Sequence, residues 1–518
     1  MIQPYGGKLI DLFSGGDEQD ELARRAQLAP SIQLSPRSIC DLQLMAVGAF
    51  SPLGRFMGRA DYRSVLCAMR TTNGALFPIP ITLNVELGRD VRIGRDVVLR
   101  NLKGDPMALM TIEEIFEWDP TVEAQSVYGT TDDRHPIVAE MYFWNRTCIS
   151  GPIKALRLAG PAGNADLRHS PAEIRSRPAL SGEQSIIAFQ ISKESQWSEE
   201  SICKLISRLK GRGLLQLVSG RPEIGDVSYY NFIHRYKAFA KRPSNDPQIV
   251  VSLLPWLKRT SGVRETILRA IIGRNYGATH LAIEDADPSS CSTVAEQRSL
   301  QNALSKEVGV ELVPCDPRTH SSSENRKVHP PGDSGRQELG GCVWLTGFSG
   351  SGKSTVAEIL AEMLAAQGRQ TTILDGDIVR AHLSKGLGYS REDRNRNVLK
   401  IGYVAAEIVR HHGIAICAVV SPYSVARNFV RNMIGKDQFV LVFMDTPLPV
   451  CESRDPKGFY AKARRGEITG FTGIDDLYEP PRDPDITLSD RETAAENAKI
   501  IFDYLVRRGI VSRSAANA

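Results

Sequence analysis

The apolar positions along the chain change their pattern from one third to the next. In residues 1–155 they fall in short runs: Pro80-Ile81-Thr82-Leu83-Asn84-Val85, Val91-Arg92-Ile93, Val97-Val98-Leu99 and Ala108-Leu109-Met110-Thr111. Gly and Asp-Pro turns separate these runs, which predicts a small β-rich barrel or sandwich with some helix. Residues 156–315 carry longer apolar runs at 185–189, 213–218, 248–252 and 279–283, with helical stretches such as 198–209 and 265–272 between them. Strands that alternate with helices predict a parallel α/β sheet. Residues 316–338 lose apolar periodicity and are rich in Pro, Gly and Ser, which reads as a linker. From 339 to 518 the α/β pattern returns, with strands expected at 342–345, 371–374, 414–420 and 439–444.

The last three of these strands end in polar residues: Asp375-Gly376-Asp377, Ser421-Pro422-Tyr423 and Asp445-Thr446-Pro447. Ligands of open parallel sheets bind outside the carboxyl ends of the strands, so these sequences are expected to ring a ligand. After the first strand comes Gly347-Phe348-Ser349-Gly350-Ser351-Gly352-Lys353-Ser354-Thr355, followed by helically spaced Val356, Ile359, Leu360, Met363 and Leu364. The loop fits G-x-x-x-x-G-K-[ST] in its strand–loop–helix setting. Its glycines let backbone N–H groups turn onto phosphate oxygens at a helix N-terminus. Lys353 then reaches the β/γ-phosphates and Ser354 offers a hydroxyl to Mg²⁺. A nucleoside triphosphate is the expected ligand.

Composition narrows the picture only a little. A chain of 518 residues has room for about three domains. A net charge of +4 with 24% charged residues implies no strong electrostatic partner for the whole chain, and nucleic acid is not expected. The basic clusters at 204–212 and 237–242 read as solvated helix faces. The 9 cysteines are scattered without a C-x-x-C pair, as in a protein that keeps its thiols reduced. No run approaches the ~18 apolar residues of a membrane span, and the N-terminus has no basic-then-apolar leader, so a cytoplasmic protein with no membrane partner is expected.

Phosphoryl transfer needs a metal, a group that orients the acceptor hydroxyl, and cations for the charge that spreads over the moving phosphoryl. Asp375 and Asp377 stand two apart at a strand end. In extended chain they share a face, so that one serves the metal and the other the hydroxyl; capping of a turn by Asp375 is the alternative. Arg380, Arg391, Arg394, Arg396 and Arg427 are each ordinary surface residues taken singly, but as a group behind a phosphate loop they suggest an anionic second substrate. The basic, glycine-punctuated, aromatic stretch 454–475 suits a lid.

Residues 339–518 resemble adenylylsulfate kinase. The likeness rests on the phosphate loop, Leu374-Asp-Gly-Asp377, Glu392-Asp-Arg394 with Asn397, Ser421-Pro-Tyr423, Asp445-Thr-Pro447, Cys451-Glu-Ser-Arg-Asp-Pro-Lys-Gly458 and Gly470-Phe-Thr-Gly-Ile-Asp475. It implies a P-loop kinase with a parallel sheet that uses ATP and Mg²⁺ to phosphorylate the 3′-hydroxyl of adenylyl sulfate, in sulfate assimilation. By that likeness Gly347, Ser349, Gly350, Ser351, Gly352, Lys353, Ser354, Thr355 and Arg454 hold ATP, with Ser354 and Asp375 on the metal. Lys353, Asp375, Asp377 and Ser421 carry the catalytic work. Asp377, Arg380, Tyr389, Arg394, Asn397, Ser421, Lys462, Phe471 and Ile474 meet adenylyl sulfate, whose adenine Tyr389 and Phe471 sandwich, and for Ser421 contact with substrate is favoured over phosphate acceptance. Tyr389 stands where phenylalanine is usual. Ala461 and Ser424 stand where lysine and arginine are frequent, so Lys457 and Lys462 are both candidates for the lid cation.

Residues 1–155 resemble the PUA-like domain of ATP sulfurylase through Pro4-Tyr-Gly-Gly-Lys8, the segment 42–53, Tyr128-Gly-Thr-Thr-Asp132 and His135-Pro136. Residues 156–315 resemble its Rossmann-like nucleotidyltransferase domain through Ala188-Phe-Gln190, Gly225-Asp226, Gly262-Val-Arg-Glu265 and Asn275-Tyr-Gly277. The layout is that of a bifunctional PAPS synthetase. Where the family has Q-T-R-N-P-x-H-x-x-H, however, this chain reads Gln190-Ile-Ser-Lys-Glu-Ser-Gln-Trp-Ser-Glu199, and G-R-D-H-A-G is replaced by Glu284-Asp-Ala-Asp-Pro-Ser289. Losing one donor to the charge that develops in such a transfer typically costs ~3–4 kcal/mol, so the expectation is a kinase on an inactive, structural sulfurylase-like region. Arg264 and Lys193 leave open an anion site there. The rivals are a bifunctional sulfate adenylyltransferase and adenylylsulfate kinase, and a non-catalytic nucleotide-binding regulator. A homo-oligomer is expected from the resemblance.

Overall fold

The computed structural model describes residues 2–512 apart from Gly16, Arg89, 157–163, 181–183, Glu194, Gln196, 221–225, 244–248, Thr260, 285–292, 316–338, Lys385 and Tyr389. The expected linker and the second altered sulfurylase loop therefore lie outside the described residues, apart from Glu284.

The first unit runs α1 (Asp17–Leu28), β1 (Ser31–Gln33), α2 (Pro36–Ala46), α3 (Arg59–Ala68), β2 (Leu83–Val85), β3 (Asp96–Arg100), β4 (Pro106–Thr111), β5 (Glu114–Glu117), α4 (Pro120–Glu123), α5 (Pro136–Met141), β6 (Thr147–Ser150) and β7 (Ile153–Ala155). Its strands form a 4-stranded sheet, β1-β3-β4-β7, and a 3-stranded one, β2-β6-β5. The expected strand at 91–93 is a turn instead. Val91 N–H donates to the Gly88 carbonyl at 3.1 Å, and Ile93 faces solvent. Three alternating residues without a buried face make no strand.

The second unit contains α6 (Pro171–Ser176), β8 (Ile186–Ile191), α7 (Glu199–Arg208), β9 (Arg212–Val218), α8 (Val227–Ala240), β10 (Ile249–Leu254), α9 (Val263–Asn275), β11 (His280–Glu284), α10 (Thr293–Val308) and β12 (Glu311–Cys315). All neighbours pair parallel in the order β10-β9-β8-β11-β12. Both faces of β8 and β10 are buried, as helices on the two sides of a parallel sheet require. One apolar core runs through both units and includes Phe50, Phe77, Leu254 and Ile271. Asn275, fully buried, binds the units together: its Oδ1 accepts from Tyr5 N–H at 2.9 Å, and its amide donates to the carbonyls of Ala49 and Ser51.

The third unit contains β13 (Gly341–Thr346), α11 (Lys353–Ala366), β14 (Thr371–Asp375), α12 (Gly376–Leu383), α13 (Arg391–Arg410), β15 (Ile414–Ala418), α14 (Ser424–Ile434), β16 (Phe439–Asp445), α15 (Leu448–Arg454), α16 (Phe459–Arg464), β17 (Ile486–Ser489) and α17 (Ala494–Arg507). Its 5 strands are all parallel in the order β14-β15-β13-β16-β17. The central strand β13 is buried along its whole length, so its neighbours bring the ends of β14, β15 and β16 around the loop that follows it. Separate cores fill the two faces of the sheet. Contacts from this unit to the other two include polar ones: Gln370 accepts from Val227 N–H at 3.1 Å, and Lys103 pairs with Glu358.

The helix α13, which carries Arg394 and Asn397 near its start, is seated by a glycine. A Cβ on Gly402 would stand 2.4 Å from Cγ2 of Val430 on α14, a β-branched side chain with little room to turn. Gly402→Ala is expected to destabilise the protein by about 1–3 kcal/mol in urea unfolding, against the helix-propensity gain of alanine. Adding Val430→Ala should recover part of that loss, and strictly additive effects would contradict the packing argument.

Candidate active site

The loop between β13 and α11 adopts conformations that its glycines alone permit. Gly347 has φ 148° and Gly350 φ 78°, and a Cβ on them would stand 2.8 Å from the Met444 carbonyl and 3.0 Å from that of Cys451. Gly352, φ 91°, precedes the first helical residue, Lys353. Lys353 is buried and curls back over its own loop. Its ammonium donates to the carbonyls of Gly347 at 3.0 Å and Phe348 at 2.6 Å and to Ser351 Oγ at 3.3 Å. Burial, reinforced by the nearby Lys457 ammonium, pushes its pKa down to about 8. Carbonyl dipoles offset only part of that cost, so the site favours an anion that would hold the charged form. Arg454, at the end of α15, closes the loop from outside through the Gly350 carbonyl at 3.3 Å. Ser349 accepts from Tyr460 through its carbonyl at 3.0 Å, and Thr355 is exposed.

Ser354 Oγ donates to Asp375 Oδ2 at 2.6 Å. That hydroxyl–carboxylate pair beside a phosphate loop is the oxygen donor set that a nucleotide-borne Mg²⁺ uses, so the residues present fit the ion. Among the described residues no group of three or more His, Cys, Asp and Glu side chains is placed to cage a metal alone. Asp375 and Asp377 do not share a face. The chain bends into α12 at Gly376, and Asp375 caps that helix by accepting from Asp377 N–H at 3.0 Å, which was the alternative reading. Asp375 is thus buried beside Ser354. Asp377, on the first turn of α12 with a side chain 47% exposed, pairs with Lys457. Burial alone would lower the Lys457 pKa, but the Asp377 carboxylate outweighs it and holds the ammonium above its ordinary value.

Most of the predicted acceptor-side residues lie on α12, on α13 and in the loop after α16. Arg394, on the first turn of α13, donates to the Gly470 carbonyl and stands 3.7 Å from Asp476. Asn397, one helical turn on, is buried with its Oδ1 unpartnered among the described residues. Arg380 spans to the carbonyls of Leu387 and Gly388 at 3.1 and 2.9 Å. Asp475 accepts from Gly470 N–H at 2.6 Å and also from Phe471 N–H, fixing the loop that carries Phe471 and Ile474. Tyr460 meets the Phe471 ring edge-on at 5.0 Å, and Tyr389, the expected second half of the sandwich, lies outside the described residues.

Several expectations change. Ser421 does not point into the site: it is buried at φ 39°, accepts from Trp344 Nε1–H at 3.0 Å and shares a 3.0 Å bond with Thr346 Oγ1. Arg427 is no substrate cation. Buried under the sheet end, it donates to the Ser421 carbonyl at 2.6 Å and the Glu479 carbonyl at 2.5 Å, and so holds the strained residue in place. Arg391 lies over the Tyr423 ring at 4.5 Å, and Arg396 faces solvent. Of the two lid lysines, Lys457 reaches Asp377, whereas the electrostatic neighbours of Lys462 are Arg100, Glu467, Arg465 and Asp455. Sequence reasoning passed over Glu358, a carboxylate buried on α11 among Val356, Ala357, Leu360 and Ala361. An acidic residue inside an apolar helical stripe was the signal.

In the second unit the loop that replaces the sulfurylase motif is occupied by its own contacts. Gln190 binds Gln216 at 3.0 Å and Arg269 at 2.8 Å, and Glu199 pairs with Arg235 at 3.2 Å and Arg242 at 2.7 Å. The two cations expected to be open to an anion are engaged: Arg264 donates to the Pro78 carbonyl at 2.8 Å, and Lys193 pairs with Asp226 at 3.3 Å. Gln196 and Asp287 lie outside the described residues.

A parallel sheet with this loop, a buried lysine and a hydroxyl–carboxylate pair defines a P-loop nucleotide-binding unit. The comparisons carry this further. A family model of adenylylsulphate kinase matches residues 339–489, one of a PUA-like domain residues 2–158, and one of ATP-sulfurylase residues 165–392. The sulfate adenylyltransferase of Phaeosphaeria nodorum is 33% identical over 96% of this chain and 96% of its own. That of Yarrowia lipolytica is 33% identical over 95% and 96%. The hexameric APS kinase from Thiobacillus denitrificans superposes with a TM-score of 0.53 at 27% identity, covering 99% of this chain and 100% of that one. The chain belongs to the sulfate adenylyltransferase family, as an enzyme with PUA-like and ATP-sulfurylase domains before a C-terminal adenylylsulfate kinase domain. These likenesses back the bifunctional alternative better than a kinase with a dead sulfurylase, and they do not show the sulfurylase region to be degenerate. Among the described residues no helix is long and apolar enough to cross a membrane.

Phosphate binding demands the charged form of Lys353, whose free value lies at about 8. Affinity for Mg-ATP should therefore hold below that pH and fall as pH rises through it, by up to about tenfold per unit, in calorimetric titrations. An affinity unchanged two units above would contradict the account of this lysine.

Proposed function

We propose that the C-terminal unit transfers the γ-phosphoryl of ATP to the 3′-hydroxyl of adenylyl sulfate. The observation that carries this reading is a phosphate loop with a buried lysine after the central strand, with Ser354 on Asp375 and Asp377 paired with Lys457 at the start of α12; Arg394, Asn397 and Phe471 are assigned to the acceptor side by the resemblance. ATP lies on residues 347–355 with Arg454 outside it. Mg²⁺ arriving with ATP would be held by Ser354 and Asp375 and supplies neutralisation of the β/γ charge. Asp377, released from Lys457, accepts the hydrogen bond of the acceptor hydroxyl, and Lys457 turns its charge to the transferring group. Asn397 Oδ1 and Arg394 orient the substrate, and the 454–475 lid closes over it to exclude water. Lys462, Arg380 and Ile474 line its outer side. Ser421 acts by shaping the end of β15.

A specific observation favours a second reading. The full-length curated relatives carry the name sulfate adenylyltransferase, which supports a chain that also makes adenylyl sulfate. Against it stand the missing histidines and the internal pairing of Glu199, Arg264 and Lys193. A homo-oligomer is supported by the hexameric neighbour and by an exposed apolar stripe on α14, where Val425, Phe429 and Met433 recur every fourth residue.

Purified protein is expected to form ADP from ATP only when adenylyl sulfate is present. Lys353→Ala should abolish the activity, and Asp377→Asn should lower kcat about 10²–10⁴-fold. ADP formation that ignores adenylyl sulfate would sink the assignment. On the same preparation, ATP formation from adenylyl sulfate and pyrophosphate decides for the bifunctional reading, and its absence decides for the kinase alone.

A further inference from the structure

The turn between β3 and β4 is built to hold one side chain still. Asn101 Oδ1 accepts from the N–H groups of Lys103 and Asp105, both at 2.9 Å, while its amide donates to Asp105 Oδ2 at 2.9 Å. Gly104 N–H closes the turn on the Asn101 carbonyl at 3.0 Å, and Arg100 braces the Gly104 carbonyl at 2.8 Å. Gly104 itself has φ 82°. A short loop with this many internal bonds is a rigid tip rather than a slack connection.

That tip does not stay within its own unit. Lys103 pairs with Glu358 of α11, whose side chain is 8% exposed and lies little more than one turn beyond Lys353. A Cβ on Gly104 would stand 3.6 Å from the Lys457 side chain, and Asp105 adds to the negative field on that lysine. The Asp375 and Asp105 carboxylates also act on the Lys103 ammonium. The hairpin thus abuts the carboxylate on the metal side, the helix of the phosphate loop and the base of the lid at once. A buried carboxylate this near a polyphosphate opposes its binding unless a cation neutralises it.

We propose that residues 101–105 complete the kinase site from the N-terminal unit, with Lys103 as a positioning residue that neutralises Glu358 and seats Lys457. The inference rests on the kinase reading above. It gives the PUA-like unit a part in phosphoryl transfer whatever the middle unit does.

The test uses full-length protein and the Lys103→Ala, Lys103→Arg, Glu358→Gln and Lys103→Ala/Glu358→Gln variants, assayed for ADP formation over a range of ATP at saturating adenylyl sulfate. Lys103→Ala should raise the KM for ATP about tenfold with kcat held within about threefold, since it strands a buried charge beside the phosphates. Lys103→Arg should stay near wild type, and Glu358→Gln should restore most of the KM lost by Lys103→Ala. A KM for Lys103→Ala within twofold of wild type overturns the proposal, as does a double variant no better than Lys103→Ala. A lower melting temperature with KM unmoved overturns it too, because it would leave the contact merely structural. If wild-type protein makes no ADP, the kinase reading is what has failed. Calorimetric binding of Mg-ATP to the same variants then still decides on Lys103.

Discussion

A buried ammonium held by carbonyl dipoles is the constraint on which the third unit depends. Lys353 is held at the N-terminus of α11 by its own loop, where both burial and helix end disfavour a positive charge. Nothing in such an arrangement is comfortable without an anion. The surrounding order follows from the need to receive one: glycines at 347, 350 and 352 bring N–H groups forward, and the parallel sheet sets Asp375, Asp377 and the end of β15 around them. Ser421 shows the cost of that shape, a non-glycine residue at positive φ held by Trp344, Thr346 and the buried Arg427.

The elements most legible in the sequence were those set by periodicity over many residues. The apolar runs of β8, β9, β10, β13, β15 and β16 stood out because both faces of these parallel strands are buried, and the phosphate loop stood out because only glycine satisfies its backbone. What escaped reading depended on direction. Two aspartates spaced by two share a face only while the chain stays extended, and α12 begins between them. Five arginines near a phosphate loop look alike in sequence, yet Arg427 is a buried strut, Arg396 is solvated and Arg394 reaches Asp476 and the Gly470 carbonyl. Lys103 and Glu358 are separated by the whole second unit, and no local pattern relates them.

The first two units share one core, with Asn275 and the buried Arg259–Asp41 pair at their junction, and contacts such as Gln370 with Val227 and Lys103 with Glu358 join them to the third. The N-terminal two-thirds therefore form one platform for the kinase. Glu199, where the family pattern places a histidine, is bound to Arg235 of α8 and to Arg242 just beyond that helix.

The most direct test of the central claim follows the phosphoryl group itself. Protein given γ-labelled ATP and adenylyl sulfate should place the label on the adenylyl sulfate ribose, from which a 3′-nucleotidase releases all of it. Label found as inorganic phosphate, or on a product that the 3′-nucleotidase leaves intact, would contradict the account.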